Sequence, residues 1–124
     1  MTIDFNRDTP IYTQLVERIC SEIIRNERRL GAKMPSVREY ALEVGVNVNT
    51  IQRVYKELEH LQLTETRRGQ GTFITANEQV IIDMRQQVKS KLIAQFFEKI
   101  DDFGFTKEEI MTEINRFDGG SVND

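Results

Sequence analysis

Residues 35–61 read PSVREYALEVGVNVNTIQRVYKELEHL, two amphipathic patterns set back to back with only a few residues between them. Pro35 keeps the residues before it out of a helix, and Ser36 and Glu39 have the spacing of a capping box, in which each side chain satisfies a free backbone donor of the other. A helix therefore begins at Val37, carries Val37, Tyr40, Ala41 and Val44 as its apolar positions, and closes at Gly45. Asn47 caps the next helix, whose apolar positions Ile51, Val54, Tyr55, Leu58 and Leu61 gather on one side at about 100° per residue. Asn49, Gln52, Arg53 and Lys56 repeat at i, i+3, i+4 and i+7 on the opposite side. So short a corner lets the first helix of the pair brace the second while the polar start of the second stays free for a partner.

Upstream, Thr9-Pro10 reads as the start of an earlier helix, with Thr9 as the cap and Pro10 in the first turn. Ile11, Leu15, Ile19, Cys20, Ile23 and Ile24 recur at helical spacing to about Asn26, and Leu30-Gly31 ends that segment. Downstream, residues 63–75, LTETRRGQGTFIT, read as a β-hairpin whose tip is Arg67-Arg68-Gly69-Gln70-Gly71. The tip is not a phosphate loop, because no Gly-Lys-Ser/Thr follows and no helix starts at once. A long helix follows Asn77 and runs to about Phe103, with Ile81, Met84, Val88, Leu92, Phe96 and Ile100 at three- and four-residue steps. Gly104 stops it. Thr106 and Glu109 form a second capping box for a short last helix carrying Ile110, Met111, Ile114 and Phe117, and the tail from Gly119 onward reads as frayed.

The order helix, corner, helix, basic hairpin is that of a winged helix-turn-helix, so the fold class is mostly α with a small β-hairpin wing and a two-helix C-terminal segment. Residues 1–76 form the winged domain and residues 77–124 the appended helices. The third helix would enter a major groove about 12 Å wide. There the start of the third helix, with Asn47, Asn49, Thr50, Gln52 and Arg53, can offer amides to adenine and an arginine to guanine or phosphate, and the wing can add Arg67 and Arg68 at the neighbouring backbone or minor groove. Double-stranded DNA is the expected partner. The net charge of −3 hides an asymmetry: residues 1–76 hold 11 Lys and Arg against 10 Asp and Glu, and residues 77–124 hold 6 against 10. Phosphate contact depends on the facing surface and not on the sum.

Other classes of function find little support. Cys20 is the only cysteine and falls on the apolar face of the first helix; His60 is the only histidine and has no nucleophile or acid placed to work with it. No catalytic set, metal site or cofactor is expected. No apolar run approaches the roughly 18 residues of a membrane span and no leader pattern opens the sequence, so a cytoplasmic location is expected. A winged helix that binds protein instead of DNA is the alternative, since the fold hosts both activities.

The runs PIYTQLVERICSEII, MPSVREYALEVGVNVNTIQRVYKELEHLQL and ETRRGQGTFI resemble, in that order, the DNA-binding domain of the GntR family of bacterial transcription regulators, over about residues 10–75. The short helical C-terminal part resembles the YtrA-like subfamily, in which two helices serve dimerisation. The resemblance implies a repressor that binds a palindromic operator as a homodimer, with Arg38, the positions Asn47, Asn49, Thr50 and Gln52, and the wing tip around Gly69 on DNA. It assigns the dimer contact to the segment holding Ile81, Met84, Val88, Leu92, Phe96 and Ile100. Val48 and Gln52 stand where many members have arginine, so the base preference is expected to differ. A small-molecule effector is left open, and no membrane partner is expected.

Overall fold

A computed structural model describes residue 5 and residues 7–120, with side chains described as far as Phe117. The elements are α1 (Ile11–Ile24), α2 (Val37–Val44), α3 (Val48–His60), β1 (Thr64–Arg67), β2 (Gly71–Ile74), α4 (Glu78–Phe103) and α5 (Lys107–Gly120). The chain divides into two compact units, one up to Arg85 and one from Gln86 onward.

The first unit is a winged helix-turn-helix built on α1, α2 and α3. Leu15 and Ile19 from α1 and Ile51, Val54 and Leu58 from α3 lie wholly out of solvent, joined by Tyr40, Ala41 and Val44 from α2. These are the apolar positions of the three helical patterns, so the core forms where the three stripes meet. Ser36 and Glu39 close the expected box: the Ser36 N–H donates to Glu39 Oε1 at 2.8 Å and the Glu39 N–H donates to Ser36 Oγ at 3.1 Å. Gly45 ends α2 with φ 69°. Tyr55 ties the corner from within, its hydroxyl donating to the Pro35 carbonyl at 2.6 Å. Burial pushes the Tyr55 phenol well above its ordinary range, so it remains a donor.

Four local expectations need correction. Pro10, not Thr9, is the N-cap of α1, and no side-chain cap bond forms there; Thr9 instead accepts from Gln14 Nε2 through its carbonyl at 2.7 Å. The helix ends at Ile24, because Asn26 takes the left-handed conformation at φ 63° before Gly31 is reached. Leu61 is 44% exposed although it continues the apolar stripe of α3. It is the C-cap, and the chain turns away there through Gln62 at φ 64° toward Leu63, which takes the buried place. Gly119 and Gly120 belong to α5 and not to a frayed tail, while residues 121–124 of that tail lie outside the described residues.

The hairpin pairs Thr64 with Ile74 and Arg67 with Gly71 in antiparallel register. A third piece joins it. Lys33 bridges to Phe73, with Met34 N–H donating to Thr72 O and Ile74 N–H to Ala32 O, both at 2.8 Å. The segment before α2 therefore runs along the wing and saturates the second edge of β2. Two residues of alternating pattern are too few to signal a strand, which is why sequence periodicity passes over it.

The second unit holds the remainder of α4 and the whole of α5. Gly104 separates them at φ 78°, and the Thr106 box forms, with Thr106 N–H donating to Glu109 Oε2 at 2.8 Å and Glu109 N–H to Thr106 Oγ1 at 3.2 Å. Phe96 meets Phe97 edge-on at 5.4 Å and Phe103 stacks on Phe105 at 5.8 Å. No residue from Gln86 to Phe117 is buried.

Candidate nucleic-acid interface

The start of α3 is held by backbone demands before any partner is present. Asn47 Oδ1 accepts from the Asn49 N–H at 2.7 Å, which commits the oxygen of Asn47 to capping and leaves its amide nitrogen. Behind it, Ile51, Val54 and Leu58 fix the rotation of the helix by burial, so Asn49, Gln52, Arg53 and Lys56 are turned to solvent. The side-chain amides of Asn49 and Gln52 have no partner among the described residues. An exposed helix face with unspent amides at its N-terminal end is what base reading in a major groove requires.

Arg38 sits in the first turn of α2, is exposed and makes no ion pair among the described residues. It lines a shallow hollow with Leu42, Val46, Asn47 and Val48, beside the α3 N-terminus. Arg53 is fixed differently: its guanidinium lies over the ring of Tyr12 at 3.7 Å, a stack between α3 and the first turn of α1. The stack leaves the guanidinium N–H edges to serve a phosphate or a base. Tyr12 is a contributor that the sequence pattern does not reveal, because its role appears only when α1 and α3 are packed.

The wing stands beside α3 because the Thr66 hydroxyl donates to Glu59 Oε2 at 2.7 Å and the Leu63 N–H donates to Leu58 O at 2.9 Å. Between them lies an open cleft of about 730 Å³ lined by Asn49, Gln52, Arg53, Lys56, Thr66 and Thr72 among others. At the tip, Arg68 and Gln70 are exposed and Gly69 has φ 77°, a conformation that side-chain-bearing residues rarely adopt. Gly71 is constrained in another way, since a Cβ there would stand 3.0 Å from Cε of Lys33. Lys33 thus lies across the root of the tip, a wing cation that sequence reasoning missed for want of the third strand piece. Arg67 is already engaged: it pairs with Glu65 at 2.8 Å and lies over Phe73 at 4.3 Å.

The site residues therefore fall into two groups. Arg38, Asn47, Asn49, Thr50, Gln52 and Arg53 come together around the α3 N-terminus, and Arg67, Arg68, Gly69 and Gln70 form the wing tip. Among the described residues no group of three or more His, Cys, Asp and Glu side chains could hold a metal ion, and no helix is long and apolar enough to cross a membrane. Cys20 is buried, and desolvation followed by the nearby Glu17 pushes its thiol up to about 11.

Known proteins share this arrangement. The model of the bacterial regulatory proteins of the gntR family matches residues 11–74, from the first residue of α1 to the last of β2. The chain is 39% identical to the HTH-type transcriptional regulator YhcF of Bacillus subtilis, over 97% of this chain and 99% of that one. It is 32% identical to the HTH-type transcriptional repressor YtrA of the same organism, over 98% of each. A GntR family transcriptional regulator from Listeria monocytogenes superposes with a TM-score of 0.84 at 34% identity, over 90% of this chain and 98% of that one. The DNA-binding domain of AraR, solved in complex with operator ORX1, matches at a TM-score of 0.52 and 26% identity, over 60% of this chain and 92% of that one. Since the family match spans the whole winged domain and the likeness to YhcF runs through the C-terminal helices as well, the chain belongs to the gntR family of bacterial transcription regulators, with a winged helix-turn-helix DNA-binding fold.

Proposed function

We propose that this regulator is a repressor that binds a palindromic operator as a homodimer, with α3 in the major groove and the wing tip on the adjacent backbone or minor groove. The observation that carries the reading is the exposed N-terminal face of α3, where the unpartnered amides of Asn49 and Gln52 stand beside the cations Arg38 and Arg53 over a core that fixes the helix rotation. Asn47 and Thr50 complete that face, and Arg67, Arg68, Gly69 and Gln70 carry the wing contact. The YtrA likeness over nearly the full length supports repression, and the operator complex of AraR supports a duplex as the ligand.

Residues 77–124 act as the dimerisation segment in this reading, through Ile81, Met84, Val88, Leu92, Phe96 and Ile100. Support comes from the exposed Leu92 and Phe96 and the half-buried Val88 and Ile100. Met84 is buried within the first unit of a single chain, so its share in a dimer contact would be the smallest. Two copies would present two α3 helices to half-sites about one DNA turn, or a small multiple of it, apart.

The test is the salt dependence of binding to a duplex selected from random DNA. Arg38→Ala should weaken all duplexes about equally and lower the slope of log affinity against log salt by about one unit. An unchanged slope with a changed sequence preference would show that Arg38 reads a base and not a phosphate. Absence of salt-dependent binding to any duplex would sink the DNA-binding reading.

A further inference from the structure

Val48 is the first residue of α3, apolar, and 37% exposed at the very end of the helix that would enter the groove. In the free chain this exposure gains nothing. The hollow it shares with Arg38 also holds Leu42, which is 84% exposed, so the apolar surface continues from α3 onto α2 with a cation beside it. The major groove offers one apolar group, the 5-methyl of thymine.

The neighbours of Val48 point the same way. Asn49 and Gln52 carry unpartnered amides, and an Asn or Gln amide pairs bidentately with adenine through N6 and N7. The side chain that would pair bidentately with guanine is an arginine, and Arg53 is the only cation in the first two turns of α3. Its guanidinium is stacked on Tyr12 at 3.7 Å, beside the first turn of α1. A guanidinium braced against another helix suits a backbone phosphate better than a base edge deep in the groove. The leading turns of α3 thus present one methyl-contacting group and two adenine-pairing amides.

We propose that α3 selects A·T pairs within each half-site and that Val48 is a specificity-determining residue, packing on the 5-methyl group of a thymine next to an adenine read by Asn49 or Gln52. The proposal rests on the DNA-binding reading above, and its test separates the two.

Full-length protein is used to select duplexes from random DNA, and each enriched thymine is then replaced by deoxyuridine, which removes only the methyl group. Replacement at one position per half-site should lower affinity about fourfold for each half-site, the effect of one buried methyl-sized group. Val48→Ala should lose that sensitivity, and Val48→Arg should shift the preference at the same position toward G·C. Equal binding of deoxyuridine duplexes at every enriched thymine, enrichment of G·C under the wild-type helix, or an unchanged preference in Val48→Ala would each overturn the proposal while leaving DNA binding intact. Failure of the wild-type chain to bind any duplex would overturn both readings together.

Discussion

The unit up to Arg85 and the unit from Gln86 onward use the same local devices and reach opposite states of burial. Each has a helix opened by a formed capping box, at Ser36 and Glu39 in the first and at Thr106 and Glu109 in the second. Each carries apolar side chains at helical spacing. In the first, Leu15, Ile19, Ile51 and Leu58 are wholly covered; in the second, Leu92, Phe96 and Met111 are exposed and Phe103 is 76% exposed. Local signals therefore make helices in both places, but only the first region finds cover for its apolar face within one chain. Its stability is a property of the single molecule, whereas the homodimer proposed above would make the stability of the second region depend on concentration.

The largest test of this contrast deletes the same kind of apolar group in each region. Leu58→Ala should cost about 2–5 kcal/mol in urea denaturation, because a wholly buried side chain leaves a cavity. Phe103→Ala, measured where the protein is monomeric, should stay within about 0.5 kcal/mol. A large loss from Phe103→Ala in the monomer would show that the second region is closed by its own chain after all.

Next in size is the double variant Leu92→Glu, Phe96→Glu. Sedimentation should show self-association weakened by about a hundredfold or more, since two exposed apolar anchors are replaced by charges. All three tyrosines, Tyr12, Tyr40 and Tyr55, lie in the first unit, so the tyrosine band of the near-ultraviolet dichroism, at longer wavelength than the phenylalanine bands, reports that region alone. Its unfolding midpoint should not move in the monomer. A midpoint that falls together with association would show that the two regions fold as one.

The smallest effect concerns the cap of α2. Ser36→Ala should cost about 1 kcal/mol. The Ser36 backbone N–H, then its hydroxyl, holds the Glu39 carboxyl below the usual carboxylate range, with Lys33 adding to the effect. A carboxyl lowered in the folded state contributes stability above its unfolded pKa and loses it as pH falls through the folded one. Glu39→Gln should therefore flatten part of the acid limb of the stability profile, below about pH 5, while leaving the profile near neutrality parallel to the wild type. An acid limb of unchanged steepness would show that the box contributes no pH dependence.

Much of the architecture was legible because it is written in short-range patterns. Pro35, Ser36, Glu39, Gly45 and Asn47 mark the corner, and the structure uses the Ser36 box, the Gly45 stop and the Asn47 cap as the pattern implies. The polar stripe Asn49, Gln52, Arg53 and Lys56 is exposed because Ile51, Val54 and Leu58 opposite it are buried. Other features depend on partners distant in sequence. The bridge of Lys33 to Phe73 joins positions about forty residues apart through backbone hydrogen bonds, which carry no side-chain signature. The stack of Arg53 on Tyr12 spans a similar distance, and Leu61 left the core because the turn at Gln62, not the helical period, decides where the stripe ends.

By itself, then, the sequence determined the element order, both capping boxes, the helix corner and the basic wing, since each follows from periodicity or from residues within four positions of one another. It also carried the family likeness, which rests on three separated runs standing in the family's order. Tertiary structure alone decided which of the marked cations are engaged and which are free. Arg67 is held by Glu65 and Phe73 and Arg53 by Tyr12, while Arg38 is left to solvent. It also brought Lys33 to the wing and joined Val48 to Leu42 in one apolar hollow. The reason is physical: a helical or strand period fixes the direction of a side chain about its own axis, but what that side chain meets depends on the packing of a second element, which only burial of the shared core can set.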